Sequence, residues 1–437
     1  MHPSPVNASI EHTLLVVLVQ LVVIIAAARL AGLLFRKLGQ PSVCGEIAAG
    51  LILGPSLLGR FFPEAAHRLF DPSVGPILAI ISQLGLILLM FLIGLEFDFG
   101  HLNDNRRTAV SISVAGIALP FTLGMALGFY MHPALGLSGS SLNFALFMAA
   151  AMSITAIPIL GRIMIELNLN RTRLGALTIS AAALDDASGW IILALVTAIV
   201  RSAFDPTKMI LMVSGVIVYG VVMFLVVRPV VCRWAREQVR KHDGQLNLNT
   251  LAILLIMVFL SASITNLIGI FSIFGGFAMG AILFDEHEVR EAILARLHDF
   301  VAVFFLPIFF TYTGLRTDIG SMTGLGLWVF CAMVLAAAVL GKFGGCTLAA
   351  RFSGMPWRES AIIGVMMNTR ALMELIVINI GYDLGIIPKE VFFMLVFMAV
   401  VTTYMTTPLL TRLLRSSEAE EAYLRSKFAI SRGGFAA

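Results

Sequence analysis

The chain is poor in charge. Only 13% of its 437 residues are Asp, Glu, Lys or Arg, against 59% that are apolar, and the mean hydropathy is +0.94. Soluble domains carry about 25% charged residues, so an ordinary water-soluble globular fold is excluded. The four cysteines, Cys44, Cys232, Cys331 and Cys346, lie in or beside apolar stretches without paired spacing. That excludes a disulfide framework and a zinc site and leaves them as packing residues. No G-x-G-x-x-G fingerprint occurs, and HEVRE at 287–291 is not the H-E-x-x-H of a zinc protease. The opening MHPSPVNASIEH has no Lys or Arg ahead of the first apolar run, so that run reads as a retained span and not a cleaved signal.

What the chain has in quantity is apolar sequence. Crossing ~30 Å of hydrocarbon takes about 20 residues at ~1.5 Å each. Thirteen stretches qualify in length or nearly so, near 13–35, 42–59, 76–97, 108–130, 142–165, 173–200, 209–228, 248–266, 270–284, 300–315, 322–349, 359–381 and 391–414. The expected fold is therefore an all-α polytopic membrane protein. It divides into an external N-terminus (1–12), a first half (13–228, seven spans), a second half (248–414, six spans) and a cytoplasmic tail (415–437). Several spans are short or broken by Gly and Pro, which is tolerated only where the backbone lines protein or a cavity. That pattern points to a transporter.

Basic residues set the orientation. With the N-terminus outside, 21 of the 30 Lys and Arg fall in cytoplasmic loops, five of them in 228–241, and six fall outside, a strong positive-inside bias. Three lie within spans. Arg29 is near a cytoplasmic end and can snorkel, and Lys342 is expected to do the same. Arg370 is about ten residues from either end of its span and cannot.

Two inverted halves can be traced. IAAGLIL (47–53) matches FAMGAIL (277–283), and FLIGLEFD (91–98) matches TYTGLRTD (311–318), at offsets of 230 and 220. Odd numbers of spans between partners make them antiparallel, the arrangement that places a substrate site near the membrane midplane.

The chemistry gathers in three spans. Asp185 and Asp186 sit side by side in TRLGALTISAAALDDASGWIILALVTAIV (172–200), where each bare carboxylate costs ~2.5–3.5 kcal/mol. A chain that keeps such a pair uses it for an ion or a proton. The span at 142–165 carries Ser153, Thr155 and Pro158 in SITAIPIL, where a proline frees backbone carbonyls beside two hydroxyls. The span at 359–381 carries Asn368, Thr369, Arg370, Glu374 and Asn379. Arg370 lies at the depth of the aspartates, so one of them is its expected partner, with Glu374 at i+4 as the rival.

GEIAAGLILGPSLLG (45–59), LMFLIGLEFD (89–98), SITAIPILGRIMIELNLNRTRLGALTISAAALDDASGW (153–190) and NTRALMELIVINIGYDLGII (368–387) together resemble the monovalent cation:proton antiporters of the Kef, NapA and plant CHX type. The resemblance covers essentially the whole chain. It implies thirteen helices in a dimerisation domain and a six-helix core, two broken helices crossing near the ion site, elevator-like alternation and a homodimer. It also implies that Asp186 carries cation and proton, that Asp185 pairs with a basic residue on the second broken helix, here matched by Arg370, and that Ser153 and Thr155 contribute oxygens.

A desolvated carboxylate for which a proton and Na⁺ or K⁺ compete is an exchanger. An arginine cannot give up its proton, so if Arg370 holds Asp185 ionised, one proton moves per cation and exchange is electroneutral. A sodium- or proton-coupled solute symporter on the same scaffold is the alternative. An aspartyl protease is disfavoured because adjacent residues on one helix point about 100° apart. No cofactor, nucleotide or nucleic acid is expected, nor a nucleotide-binding domain after the last span. The expected setting is a bacterial inner membrane, with the C-terminus cytoplasmic. Glu46 is expected at the membrane surface as a helix N-terminal acid, with a place lining the cytoplasmic funnel as the alternative, and 285–300, with His287 and His298, as an interfacial connector helix.

Overall fold

The computed structural model describes residues 5–424 except 39, 41, 72–73, 97–105, 156–159, 162, 165–166, 170–171, 202–205, 243, 371, 416 and 418. Pro158 therefore lies outside the described residues. The main helices are α1 (Pro5–Lys37), α2 (Ser42–Leu53), α3 (Gly75–Glu96), α4 (Arg106–Ala134), α5 (Ser141–Ser153) and α6 (Arg173–Arg201). Next comes α7, which runs from Pro206–Val222 through a π turn at Met223–Val227 into Arg228–Lys241. Two apolar helices follow, α8 (Leu248–Ile268) and α9 (Ser272–Ala281). α10 joins His287–Phe300 to Leu306–Arg316 through a π turn at Val301–Phe305. α11 joins Leu325–Val339 to Gly345–Phe352 through a third, at Leu340–Gly344. The chain continues with α12 (Trp357–Met367), α13 (Leu372–Asp383) and α14 (Lys389–Leu414).

Among the described residues, nine of these helices are long and apolar enough to cross a membrane, and α5 and α9 are shorter apolar helices. The expected spans at 42–59, 142–165 and 359–381 are interrupted: α2 stops at Leu53, α5 at Ser153 and α12 at Met367. Two other expectations are corrected. Residues 228–241 are not a loop: their Val231, Cys232, Ala235 and Val239 recur at helical spacing and are buried, so the basic residues occupy the opposite face of a helical extension. The connector at 285–300 is helical, as its spacing predicts, and runs on as the first part of α10, with Val289, Ala292, Ile293 and Leu297 buried. Glu46 is buried and stands beyond the first turn of α2, so it is not a helix N-terminal acid.

The chain clusters into two compact units. The first comprises Met1–Ala31, Glu46–Asp98 and Thr197–Arg316. Its helices approach at glycines. A Cβ on Gly94 of α3 would lie 2.3 Å from the Phe277 carbonyl oxygen, and one on Gly280 of α9 would lie 2.1 Å from that of Phe91. A Cβ on Gly50 of α2 would lie 2.4 Å from the Phe310 carbonyl oxygen, and one on Gly314 of α10 would lie 2.2 Å from that of Gly50. Only glycine permits such approaches. Gly50 and Gly280 are partners in one sequence match, Gly94 and Gly314 in the other. Exchanging partners therefore converts the Gly50–Gly314 crossing into the Gly280–Gly94 crossing. Asn247 caps α8, its side chain accepting from the Thr250 amide at 2.6 Å, and Gly269 (φ +104°) ends the helix in the left-handed region.

The second unit comprises Gly32–Gly45, Phe99–Val196 and Thr317–Ala437. In it α4 packs along α5 and against α11, and α14 packs against α11, α12 and α13. Phe144, Phe147, Ile112, Met131 and Phe392 fill its interior. All four cysteines of the chain are buried and unbridged.

Candidate ion site

The site lies wholly within the second unit, where two helices stop short and leave backbone groups unpaired. α5 begins at Ser140, whose side chain accepts from the Asn143 amide at 3.3 Å, and ends at Ser153 because Ile154 turns to extended backbone (φ −82°, ψ 142°). Loss of the helical ladder frees the Ser153 carbonyl, and Lys342 donates its ammonium to it. The Ser153 hydroxyl instead donates to Ala150 O at 3.0 Å, within its own helix. Ser153 thus contributes its backbone oxygen to this cluster, where its hydroxyl was expected.

Asp185 and Asp186 lie in the middle of α6, both fully buried. Asp185 Oδ2 accepts from Lys342 Nζ and from Thr155 Oγ1. Its Oδ1 has no hydrogen-bond partner among the described residues. Lys342, expected to snorkel to the surface, is fully buried in the π turn of α11. Two acceptors compensate its charge there, which solvent at the membrane edge would otherwise do.

The second interruption separates α12 from α13. Asn368 makes a turn, and Thr369 and Arg370 leave the helical ladder. The Arg370 amide donates to Thr403 Oγ1 at 3.2 Å, and the same hydroxyl donates to the Arg370 carbonyl. Thr369 and Thr406 hydroxyls meet at 3.3 Å. The Arg370 guanidinium does not reach Asp185 as an ion-pair partner. It pairs with Glu374 Oε1 at 3.5 Å and lies 3.4 Å from both Ala151 O and Ala338 O. The i+4 neighbour is held alongside by the first turn of α13, whereas Lys342 already occupies Asp185. The two interruptions touch, with Thr155 Oγ1 3.4 Å from Met367 O.

Of the expected residues, then, Thr155 and the Ser153 carbonyl gather at Asp185, next to Asp186, while Arg370 and Glu374 form a second buried pair. Asn368 is buried and, with Thr406, lines a cavity of about 390 Å³ between α11, α12 and α14, whose walls are otherwise apolar apart from Arg412. Asn379 bonds Leu375 O within its own helix. Lys342 and Thr403 were missed. Two signals pointed to them: a lysine amid an apolar run, which invites a search for its carboxylate, and the doublets of TTYMTT (402–407), which put four hydroxyls along one face of α14.

A helical membrane protein whose described spans bury an aspartate pair beside an interrupted helix is built like an ion-handling membrane carrier. The family described as "Sodium/hydrogen exchanger, transmembrane" matches residues 23–415, and the chain belongs to it. It is 42% identical over 409 residues to the Na(+)/H(+) antiporter NhaS4 of Synechocystis, covering 92% of this chain and 98% of that protein. It is 36% identical over 404 residues to Cation/H(+) antiporter 17 of Arabidopsis thaliana, covering 92% of this chain but 48% of that protein. The K(+)/H(+) antiporter 1 of Saccharomyces cerevisiae is 31% identical over 418 residues, 94% of this chain and 47% of the yeast protein. The chain thus spans about half the length of these plant and yeast relatives. Among solved structures, the sodium proton antiporter MjNhaP1 from Methanocaldococcus jannaschii shares the fold at a TM-score of 0.61 and 16% identity, covering 95% of this chain and 99% of that one.

Proposed function

We propose that the chain exchanges a monovalent cation, Na⁺ or K⁺, for protons across the membrane at Asp185 and Asp186. The observation that carries this reading is the pair of fully buried aspartates beside an interrupted helix, with Thr155 and Lys342 converging on Asp185. Asp186 takes cation or proton in turn, Thr155 supplies a neutral oxygen, and Asn368 and Thr369 shape the second interruption. The fold we propose has thirteen spans in two inverted repeats, with an elevator-like alternation, a homodimer, the N-terminus outside and the C-terminus cytoplasmic. The exchanged glycine crossings and the 21-to-6 distribution of basic residues support the repeats and the orientation.

The coupling ratio follows from which cation sits on Asp185. Electroneutral exchange assumed an arginine there. Lysine, unlike arginine, releases its proton when a buried partner is withdrawn. In the proposed cycle a cation entering the site displaces Lys342 from Asp185, and the lysine gives up one proton while Asp186 gives up another. Two protons then move against one cation, and transport carries charge.

The test is purified protein in liposomes with an internal pH dye, an added Na⁺ or K⁺ gradient and an imposed membrane potential. Antiport moves protons opposite to the cation, at a rate that follows the potential. Proton movement in the same direction as the cation would instead establish symport. Exchange indifferent to the potential would return the coupling to one for one.

A further inference from the structure

An interrupted helix leaves main-chain donors and acceptors without their i±4 partners, and inside a membrane each must be satisfied by protein. At the second interruption one side chain does this for both main-chain groups of one residue. Thr403 accepts from the Arg370 amide at 3.2 Å and donates to the Arg370 carbonyl, with both residues fully buried. Its neighbour differs: Thr402, equally buried on the same helix, has its hydroxyl 2.9 Å from Met398 O and 3.2 Å from Ala399 O, within its own helix.

From this contrast we infer that Thr403 is a positioning residue for transport, acting through the backbone it holds. Arg370 is three residues from Met367, whose carbonyl lies 3.4 Å from Thr155 Oγ1. Thr155 in turn donates to Asp185. The hydroxyl on α14 therefore fixes the end of α12 against the first interruption and sets where the Met367 carbonyl stands relative to the carboxylates. Thr403 acts through the Arg370 main chain that it bonds. It determines how well the oxygens around the ion are spaced, so its loss acts on cation affinity. The inference rests on the antiport reading for its transport consequence but not for its structural one.

The experiment compares Thr403→Val, Thr403→Ser and Thr402→Val by two readouts. The first is hydrogen exchange of peptides covering 368–372 in the purified, detergent-solubilised protein, which needs no transport. Thr403→Val removes the acceptor for the Arg370 amide, so exchange there is expected about tenfold faster, the ratio that ~1.4 kcal/mol produces. Thr403→Ser restores protection to within about twofold, and Thr402→Val leaves it unchanged. The second readout is the cation concentration giving half-maximal exchange in liposomes. It is expected to rise about tenfold in Thr403→Val and to recover in Thr403→Ser, with Thr402→Val resembling the parent. Should Thr403→Val not fold, Thr403→Ala against Thr403→Ser makes the same comparison. Equal behaviour of the 402 and 403 valine variants, or of serine and alanine at 403, overturns the inference. Faster hydrogen exchange with unchanged half-saturation overturns the transport role. Parent protein that moves no protons in response to cation refutes the antiport reading, while the hydrogen-exchange comparison still decides the role of Thr403 at the interruption.

Discussion

Removing the ammonium of Lys342 tests the ion pair most directly. Lys342 and Asp185 meet with neither side chain exposed. At ~4 Å and an effective dielectric near 20 their attraction is about 4 kcal/mol, and withdrawing each ion from solvent costs several kcal/mol. The two desolvation costs together match or exceed that attraction, so the pair adds no net stability. Loss of one member is different, because it leaves a buried charge uncompensated at about 3–5 kcal/mol. Lys342→Gln and Asp185→Asn should therefore each lower the melting temperature markedly. The double variant buries no unpaired charge and forfeits only hydrogen bonds worth ~0.5–1.5 kcal/mol apiece, so it should melt above at least one of the single variants. Thermal melting of the four detergent-purified proteins, followed by size-exclusion chromatography, gives the cycle. Losses that simply add, within the ~0.5 kcal/mol seen for independent sites, would refute the pairing.

Three further outcomes are expected. Lys342→Arg keeps a cation on Asp185 but cannot release a proton, so exchange should continue and lose its response to an imposed potential. A response equal to that of the parent would remove Lys342 from the coupling. Asp186→Asn cannot ionise and should abolish cation-dependent proton movement in a protein that still purifies with an unchanged elution profile, whereas substantial residual exchange would move the carrier elsewhere. Thr155→Val deletes the hydroxyl that donates to Asp185 and should raise the half-saturating cation concentration several-fold. Ser153→Ala deletes only a hydroxyl bonded within α5 and should not, and the reverse order would show that Ser153 supplies its side chain.

Much of this arrangement was legible because the physics behind it is local or additive. Apolar run length marked the long helices, since hydrocarbon thickness demands it, and the isolated carboxylates at 185 and 186 stood out because their cost is so high. The glycine matches traced the two inverted halves, but that the matched glycines are contact points emerged only from the structure, where backbone approaches backbone because side chains are absent. Errors arose where a residue's surroundings are made by distant segments. Residues 228–241 looked like a loop because six of their fourteen side chains are charged, although Val231, Ala235 and Val239 carried a helical period. For Arg370 the depth of the aspartates favoured one of them and left Glu374, four residues along the chain, as the rival that the structure selects. Lys342 was sent to the surface by its distance from the span's end, a measure that contains nothing about which way a side chain faces.

That direction has a particular origin. Lys342 is the middle residue of the π turn Leu340–Gly344, and a π turn holds one residue more than the α turn it replaces. One residue amounts to about 100° of rotation around a helix axis. Deleting any one of the other four positions would let the ladder close as plain α-helix and would swing one end of α11 by that angle, carrying the ammonium off Asp185 with its chemical identity untouched. The lysine's address is thus written in a count of residues. Chains compared position by position across this segment can carry the same lysine and lack the same ion pair, and a single insertion or deletion here alters the charge of the ion site as effectively as replacing the lysine.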